Sequence, residues 1–373
     1  MSRLQAMFDI VDLGTLGGRH SAAVSLNDAC QVVGWSEIKP TPGVEHPRYA
    51  FLWEAGRIHK MGAFDVKSIN NSGQVVGSKS IHGLLAAILW HNDRLKVLTA
   101  KPKANAGANA ISDAGQTVGW RQLQPPNVGI EESAMIKIEA FLHDKSGVQT
   151  LPVDSDVLIS KANAINNSGV VAGSIKTPKT EDGRLVLRDT AVLWKDDSFE
   201  FLPNLPGFNE SQAIAINASG QVLCKATNNS LTKILHRLKD PEALSPEEIK
   251  EISQAFYQCG YLWDGEARAL GPMTRNGAMD WNHIPRALND QGQVVGAVRC
   301  NLADASDQPH AFLYHAFLYH DGVMQDLNDL IDEHSGWTLI EARSINNHGQ
   351  IVGDGEINGA RRAFLLTPRT IFV

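Results

Sequence analysis

Cysteine is scarce in this chain, with four among 373 residues. They stand at 30, 224, 259 and 300, far apart and without a C-x-x-C pair, which leaves the common zinc and redox signatures unsupported. A chain of this length needs no disulfide framework, so reduced, partly buried thiols are expected. Long apolar runs are also missing. No stretch reaches the roughly 18 apolar residues of a membrane span. Residues 1–7 carry one basic side chain and no apolar run of the signal-peptide kind. A cytoplasmic location is expected on that ground, with signal-less secretion or delivery into a host left open. Positive charge is neither abundant nor clustered: 34 Lys+Arg are scattered against 41 Asp+Glu, for a net charge of −7. Binding to a nucleic-acid backbone needs a concentrated basic face, so nucleic acid is not an expected partner. The chain lacks Gly-x-Ser-x-Gly, His-Glu-x-x-His, a Walker loop and an EF-hand loop, and no metal or cofactor is expected.

What the chain does have is a repeat. Its clearest copy is Ile69-Asn70-Asn71-Ser72-Gly73-Gln74-Val75-Val76-Gly77. Other copies begin at Leu26, Ile111, Ile165, Ile216, Leu288 and Ile345; in the first, Ala29 is read as standing where the turn glycine belongs. Each copy reads as a strand, a tight Asn/Gly hairpin turn, and a β-rich return strand. A third strand follows as faithfully: Ala50-Phe51-Leu52-Trp53, Ala87-Ile88-Leu89-Trp90, Ala140-Phe141-Leu142-His143, Ala191-Val192-Leu193-Trp194, Gly260-Tyr261-Leu262-Trp263, Ala311-Phe312-Leu313-Tyr314 and Ala363-Phe364-Leu365-Leu366. Its aromatic and aliphatic positions alternate with period 2, which reads as packing between repeats rather than a ligand-stacking box. A fourth strand completes a meander that cannot bury its own faces and must stack on copies of itself. The expected fold is all-β: a single-domain, seven-bladed β-propeller of four-stranded blades over residues 1–373. The last unit stops after three strands, and residues 7–14 read as the missing fourth, pairing with residues 361–367 to close the ring and remove an exposed edge.

With Asp12-Leu13-Gly14-Thr15-Leu16-Gly17-Gly18, the Asn-Asn-Ser-Gly-Gln-Val-Val-Gly copies and Pro309-His310-Ala311-Phe312-Leu313-Tyr314 in view, the chain resembles the bacterial HAF-repeat family. That family takes its name from the His-Ala-Phe of the third strand. The resemblance covers nearly the whole chain and includes the ending through Gly336-Trp337-Thr338-Leu339 and Ala363-Phe364-Leu365-Leu366-Thr367-Pro368. It implies repeat architecture. Members are mostly described as extracellular repeat proteins, and the resemblance brings no catalytic residues with it.

Departures from the repeat fall between the second and third strands, at 36–49, 121–139, 175–190, 225–259 and 299–309. Variation confined to one face of a repeated scaffold marks a binding face. The longest, 225–259 in the fifth blade, reads as a helical hairpin. Leu231 to Leu238 have helical spacing, and Ser245-Pro246-Glu247-Glu248 is a helix start. Ile234, Leu238, Ile249, Ile252 and Phe256 are the apolar positions such a hairpin would offer a protein partner, or simply pack on the next blade. Three residues before each turn asparagine stand Val24, Lys67, Asn109, Asn163, Ile214, Arg286 and Arg343. As a ring near the channel mouth, Lys67, Asn109, Asn163, Arg286 and Arg343 suit an anionic or sugar-like ligand, with Arg19, His20, Trp281, His283 and Trp337 from the linking loops. The tandem copy, residues 310–314 repeated as 315–319, leaves the strand register open: one copy should form the strand and the other extend the loop. His310, His315 and His320 would meet at a metal only if that loop folded back. The acids of residues 326–333 read as a short polar helix or turn. Two functions follow: a non-enzymatic scaffold that engages a protein partner through the insertion-rich face, or a glycan-binding or glycan-processing propeller with its site at the channel mouth. A sugar-active enzyme would need two carboxylates roughly 5–10 Å apart on that face.

Overall fold

A computed structural model of the chain describes residues 7–40, 47–99, 104–123, 137–155, 157–181, 184–228, 258–275, 278–280, 282–300 and 313–369. Each copy of the repeat is a β-hairpin. In the second unit Asp65–Ile69 turns back into Val75–Ile81, which pairs with Leu84–His91, and that strand pairs in turn with Arg94–Val97. The chain's first strand, Phe8–Asp12, pairs antiparallel with its last, Ala360–Pro368, in a register running from Phe8↔Pro368 to Asp12↔Phe364. The first and last units are thereby joined by main-chain hydrogen bonds, and the edge of Ala360–Pro368 is covered.

The expected seven separate four-stranded blades with a helical hairpin in the fifth are corrected by the hydrogen bonding. The described strands form six sheets: four of four strands, one of eight and one of six. One parallel pair, Ile138↔Ile159, fuses two neighbouring units into the eight-stranded sheet. The six-stranded sheet gains an extra hairpin, Met273–Arg275 with Ala278–Asp280, through the parallel pair Met273↔Met324. Among the described residues there is no α-helix, and the 3-10 turn Leu327–Leu330, capped by Asp326, is what becomes of the acidic stretch. The ends of the supposed helical insertion are strand: Lys225, Ala226 and Thr227 pair with Gly260, Cys259 and Gln258. Ile234, Leu238, Ile249, Ile252 and Phe256 lie outside the described residues. The stretch 175–190 is not a loop either. It is a continuous ribbon in which Val171–Glu181 pairs with Arg184–Lys195 out to Glu181↔Arg184.

The core lies between units. Phe51, Ile88, Phe141, Val192, Tyr261, Phe317 and Phe364 are completely buried, and the apolar clusters around them draw on neighbouring units. Leu13, Ala23, Leu26, Phe51, Val352, Ala363 and Leu365, for instance, pack together across the junction of first and last. Removing one such ring costs about 3–5 kcal/mol. The glycine of the second strand is dictated by the same packing. Every first strand carries a β-bulge, at Lys67 in the second unit, and the bulge aims a carbonyl at the glycine opposite. A Cβ on Gly77 would sit 1.9 Å from the carbonyl oxygen of Asp65, far inside contact distance, so a side chain fits there only if the facing backbone shifts. The fifth unit has Cys224 there, fully buried.

The tandem copy resolves in favour of its second half. Gly296 pairs with Phe317, as Gly34 does with Phe51 and Gly353 with Phe364, so Ala316, Phe317 and Leu318 hold the third-strand positions. Leu313 and Tyr314 extend that strand, Leu313–His320, away from the turn, and Phe312 lies outside the described residues. In the first copy of the repeat the residue at the turn-glycine position is Cys30, not Ala29. Cys30 has φ +60°, beside +72° at Gly73 and +80° at Gly115.

Candidate functional site

At one end of the ring axis the seven hairpin turns meet. Each turn asparagine bends its side chain back on its own loop. Asn70 Oδ1 accepts from the backbone N–H groups of Ser72 (3.1 Å) and Gln74 (2.9 Å), and its Nδ2 donates to Gln74 Oε1 (2.8 Å). The same Nδ2 also reaches the next turn. Asn27 donates to the carbonyl of Asn70, Asn70 to Ser112, Asn166 to Asn217, Asn217 to Asn289, Asn289 to Asn346, and Asn346 back to Asn27, at 2.9–3.2 Å. The link from Ser112 to Asn166 is missing because a hydroxyl is too short to span it. The following residues form a second circle: Asp28, Asn71, Asp113, Asn167, Ala218, Asp290 and Asn347. Backbone N–H groups donate to the next side chain round, as from Asp28 to Asn71 Oδ1 (2.8 Å) and from Asn347 to Asp28 Oδ1 (2.9 Å). Amides bridge the carboxylates, with Asn71 Nδ2 3.2 Å from Asp28 and 3.1 Å from Asp113. Ala218 breaks the circle. These residues surround a polar depression of about 200 Å³. This end is a hydrogen-bonded plate interrupted at Ser112 and Ala218, and its asparagines, read from sequence only as turn formers, also tie the units together.

The opposite end of the strands is charged. Arg286 Nε donates to Glu341 Oε1 at 2.6 Å, Glu341 also pairs with Arg343, and Arg343 Nε reaches Asp354 Oδ1 at 2.7 Å. Arg361 binds the other oxygen of Asp354 at 2.5 Å. Glu341 and Asp354 face each other across paired strands and are buried, Asp354 completely, so without the three guanidinium groups two carboxylates would repel in a poorly solvated site. On the neighbouring units Lys176 pairs with Asp189 (3.1 Å) and Arg188 with Glu210 (3.4 Å). Lys225 faces both groups. Burial, then the positive charge of Arg286, hold its ammonium below the ordinary lysine range, against the pull of Asp189 and Glu210.

Of the residues expected at the channel mouth, Arg286 and Arg343 come together through Glu341. Asn109 and Asn163 instead bridge first strands, donating to the carbonyls of Ala162 (2.8 Å) and Ala213 (2.9 Å). Lys67 is exposed on the second unit. Arg19 and His20 hold the last hairpin: Arg19 Nη2 donates to the Gly359 carbonyl (2.6 Å) and His20 Nδ1 accepts from the Arg361 N–H (3.2 Å). Trp337 packs edge-on against Phe364, 6.2 Å between centroids. Trp281 lies outside the described residues. Glu341, Asp354, Arg361 and Lys225 were not anticipated. The signal for Lys225 and Asp354 is a charged residue directly after the glycine position of the second strand, in two units.

His283 is not at the mouth but wholly buried. Its Nδ1 accepts from the Gly260 N–H at 3.1 Å, which leaves the proton on Nε2, 3.7 Å from the Sγ of Cys259. A cysteine beside a histidine invites comparison with a nucleophile and its base. Burial drives both the wrong way: the Cys259 thiol is pushed up to about 12 and the imidazole down to about 4. Both stay neutral near pH 7, and a thiolate nucleophile needs the reverse. His315 is buried as well, its Nδ1 2.6 Å from Asp326 Oδ2. Burial alone would raise the Asp326 carboxyl, but the hydrogen bond and charge of His315, with the amides of Asn328, hold it below the usual range. Among the described residues no set of three or more His, Cys, Asp or Glu side chains is placed to hold a metal ion, and no helix is long and apolar enough to cross a membrane.

No protein-family model and no curated protein sequence matches the chain. Solved structures do. The β-propeller domain of the Trilobed protease from Pyrococcus furiosus superposes with a TM-score of 0.54 at 8% identity, covering 95% of this chain and 94% of that one. The acylaminoacyl peptidase of Pyrococcus horikoshii gives 0.53 at 11% identity, covering 97% of this chain and 54% of the peptidase. A prolyl endopeptidase gives 0.50 at 6% identity, covering 98% and 51%. The chain thus spans about half the length of the two peptidases. At such identities the likeness concerns the fold alone: the chain folds as a β-propeller domain.

Proposed function

We propose that this protein is a non-enzymatic binding propeller that engages a protein partner through the end of the ring opposite the asparagine turns. The observation that carries the reading is the asymmetry of the two ends. At one, the turns are uniform and interlocked. At the other, the second and third strands differ in length from unit to unit, and Val171–Glu181 with Arg184–Lys195 run on as a two-stranded ribbon, beyond the seven- and eight-residue strands of the second unit. A ribbon of this kind carries main-chain donors and acceptors along its edges, which a partner strand can use. The neutral, buried Cys259–His283 pair and the salt-bridged state of Glu341 and Asp354 favour binding over catalysis. The resemblance to HAF-repeat proteins, carried in the folded chain by His315-Ala316-Phe317, accords with this reading.

The test compares affinity capture by the full chain and by a variant in which residues 178–187 are replaced by Gly-Gly. A protein retained in stoichiometric amount by the wild type and lost from the shortened ribbon is expected, with the variant's circular dichroism unchanged. Capture indifferent to the ribbon would remove it as the docking element. Glycoside turnover abolished by Glu341→Gln would overturn the non-enzymatic reading.

A further inference from the structure

The charged end of the ring is left with more cations than carboxylates. Lys225, whose strand partner Gly260 lies against Pro285, stands beside Arg286. Counting Lys176 and Arg188 with Lys225, Arg286, Arg343 and Arg361, six positive charges meet four negative ones, on Glu341, Asp354, Asp189 and Glu210, in a chain whose net charge is −7. Lys225 has Arg286 as a like-charged neighbour, and the carboxylates that attract it, Asp189 and Glu210, are already paired with Lys176 and Arg188. The arginine side chains are partly solvent-accessible, at 42% for Arg286, 28% for Arg343 and 45% for Arg361, while the carboxylates of Glu341 and Asp354 beneath them are buried. The acids therefore serve as a fixed floor that holds the arginine forks in place. A planar fork so held keeps N–H donors directed outward, ready for two oxygens of an anion.

We infer that Lys225, Arg286 and Arg343 form a binding site for a small dianionic ligand bearing carboxylate or other oxyanion groups. An anion seated between Lys225 and Arg286 replaces a like-charge contact by two opposite-charge ones and brings the local charge to zero. The inference does not depend on the ribbon or on a protein partner. It is tested on the full chain by titration calorimetry with succinate and, separately, sulfate, at constant ionic strength set with chloride. Saturable binding of either probe is expected, weakened about tenfold for each lost charge-assisted hydrogen bond in Arg286→Gln and Lys225→Met, and retained in Lys225→Arg. Succinate binding alone would identify a dicarboxylate ligand, and sulfate binding alone a compact oxyanion. Heats no larger than those of chloride, or binding unchanged in both charge-removing variants with unaltered thermal midpoints, would overturn it.

Discussion

Two single residues sit under opposing demands. Cys30 adopts φ +60° at a place where the other turns have glycine, and a side chain in that region costs roughly 1–2 kcal/mol. Cys30→Gly is therefore expected to raise the unfolding free energy by about 1 kcal/mol in urea titration, net of the weak Gln350 Nε2 contact at 3.3 Å that its sulfur accepts. His283 is the second. Burial pushes its folded-state imidazole down to about 4, below the 6.5 of an exposed histidine. Between those values the unfolded chain binds a proton that the folded chain does not. Stability therefore falls as pH drops through this window, by about 1.4 kcal/mol per pH unit from this group. His283→Asn should remove one proton's worth of that slope, measured as the difference in urea midpoints between pH 6.5 and 4.5. A slope unaltered by the substitution would mean that the imidazole is accessible.

At the scale of the element, the bulged hairpin is the unit on which the fold turns. The bulge at Lys67 and the glycine at 77 are one device, because the extra residue turns the Asp65 carbonyl into the space that a Cβ would need. Gly77→Ala should cost about 1–3 kcal/mol through overpacking, seen as a lowered midpoint without a change in denaturant slope. The turn asparagine is as costly to remove. Asn70→Ala deletes its bonds to Ser72 and Gln74 and also strips a donor from the buried carbonyl of Ser112, for an expected loss of about 3 kcal/mol. Asn71→Ala, on the exposed circle, should cost less than half of that.

For the whole molecule, closure rests on two independent seams. One is the pairing of Phe8–Asp12 with Ala360–Pro368. The other is the asparagine circle, in which Asn346 donates to Asn27 across 319 positions of sequence. The circle has one natural gap, at Ser112. Ser112→Asn should supply the missing amide toward Asn166 and stabilise the protein by about 1 kcal/mol, read from thermal and urea midpoints together. No gain would show that the turns there stand too far apart for the bridge.

The repeated hairpin, its turn asparagine, the strand-two glycine and the inward aromatic at positions such as Phe51 and Phe364 are legible in the order of residues, because each is a local requirement of backbone conformation or strand alternation. That order also places Arg286 and Arg343 on equivalent positions. Tertiary structure alone decided how the hydrogen bonds divide the strands into sheets, since a single pair such as Ile138↔Ile159 joins two units without any local signature. The choice of His315-Ala316-Phe317 over the preceding copy was likewise unreadable. Both copies have the same alternation, and only the facing Gly296 selects between them. The burial of His283 and the salt-bridged surroundings of Arg286 and Arg343 depend on side chains that meet from different units. Charge pairing between distant strands is a property of their packing and has no periodicity to reveal it.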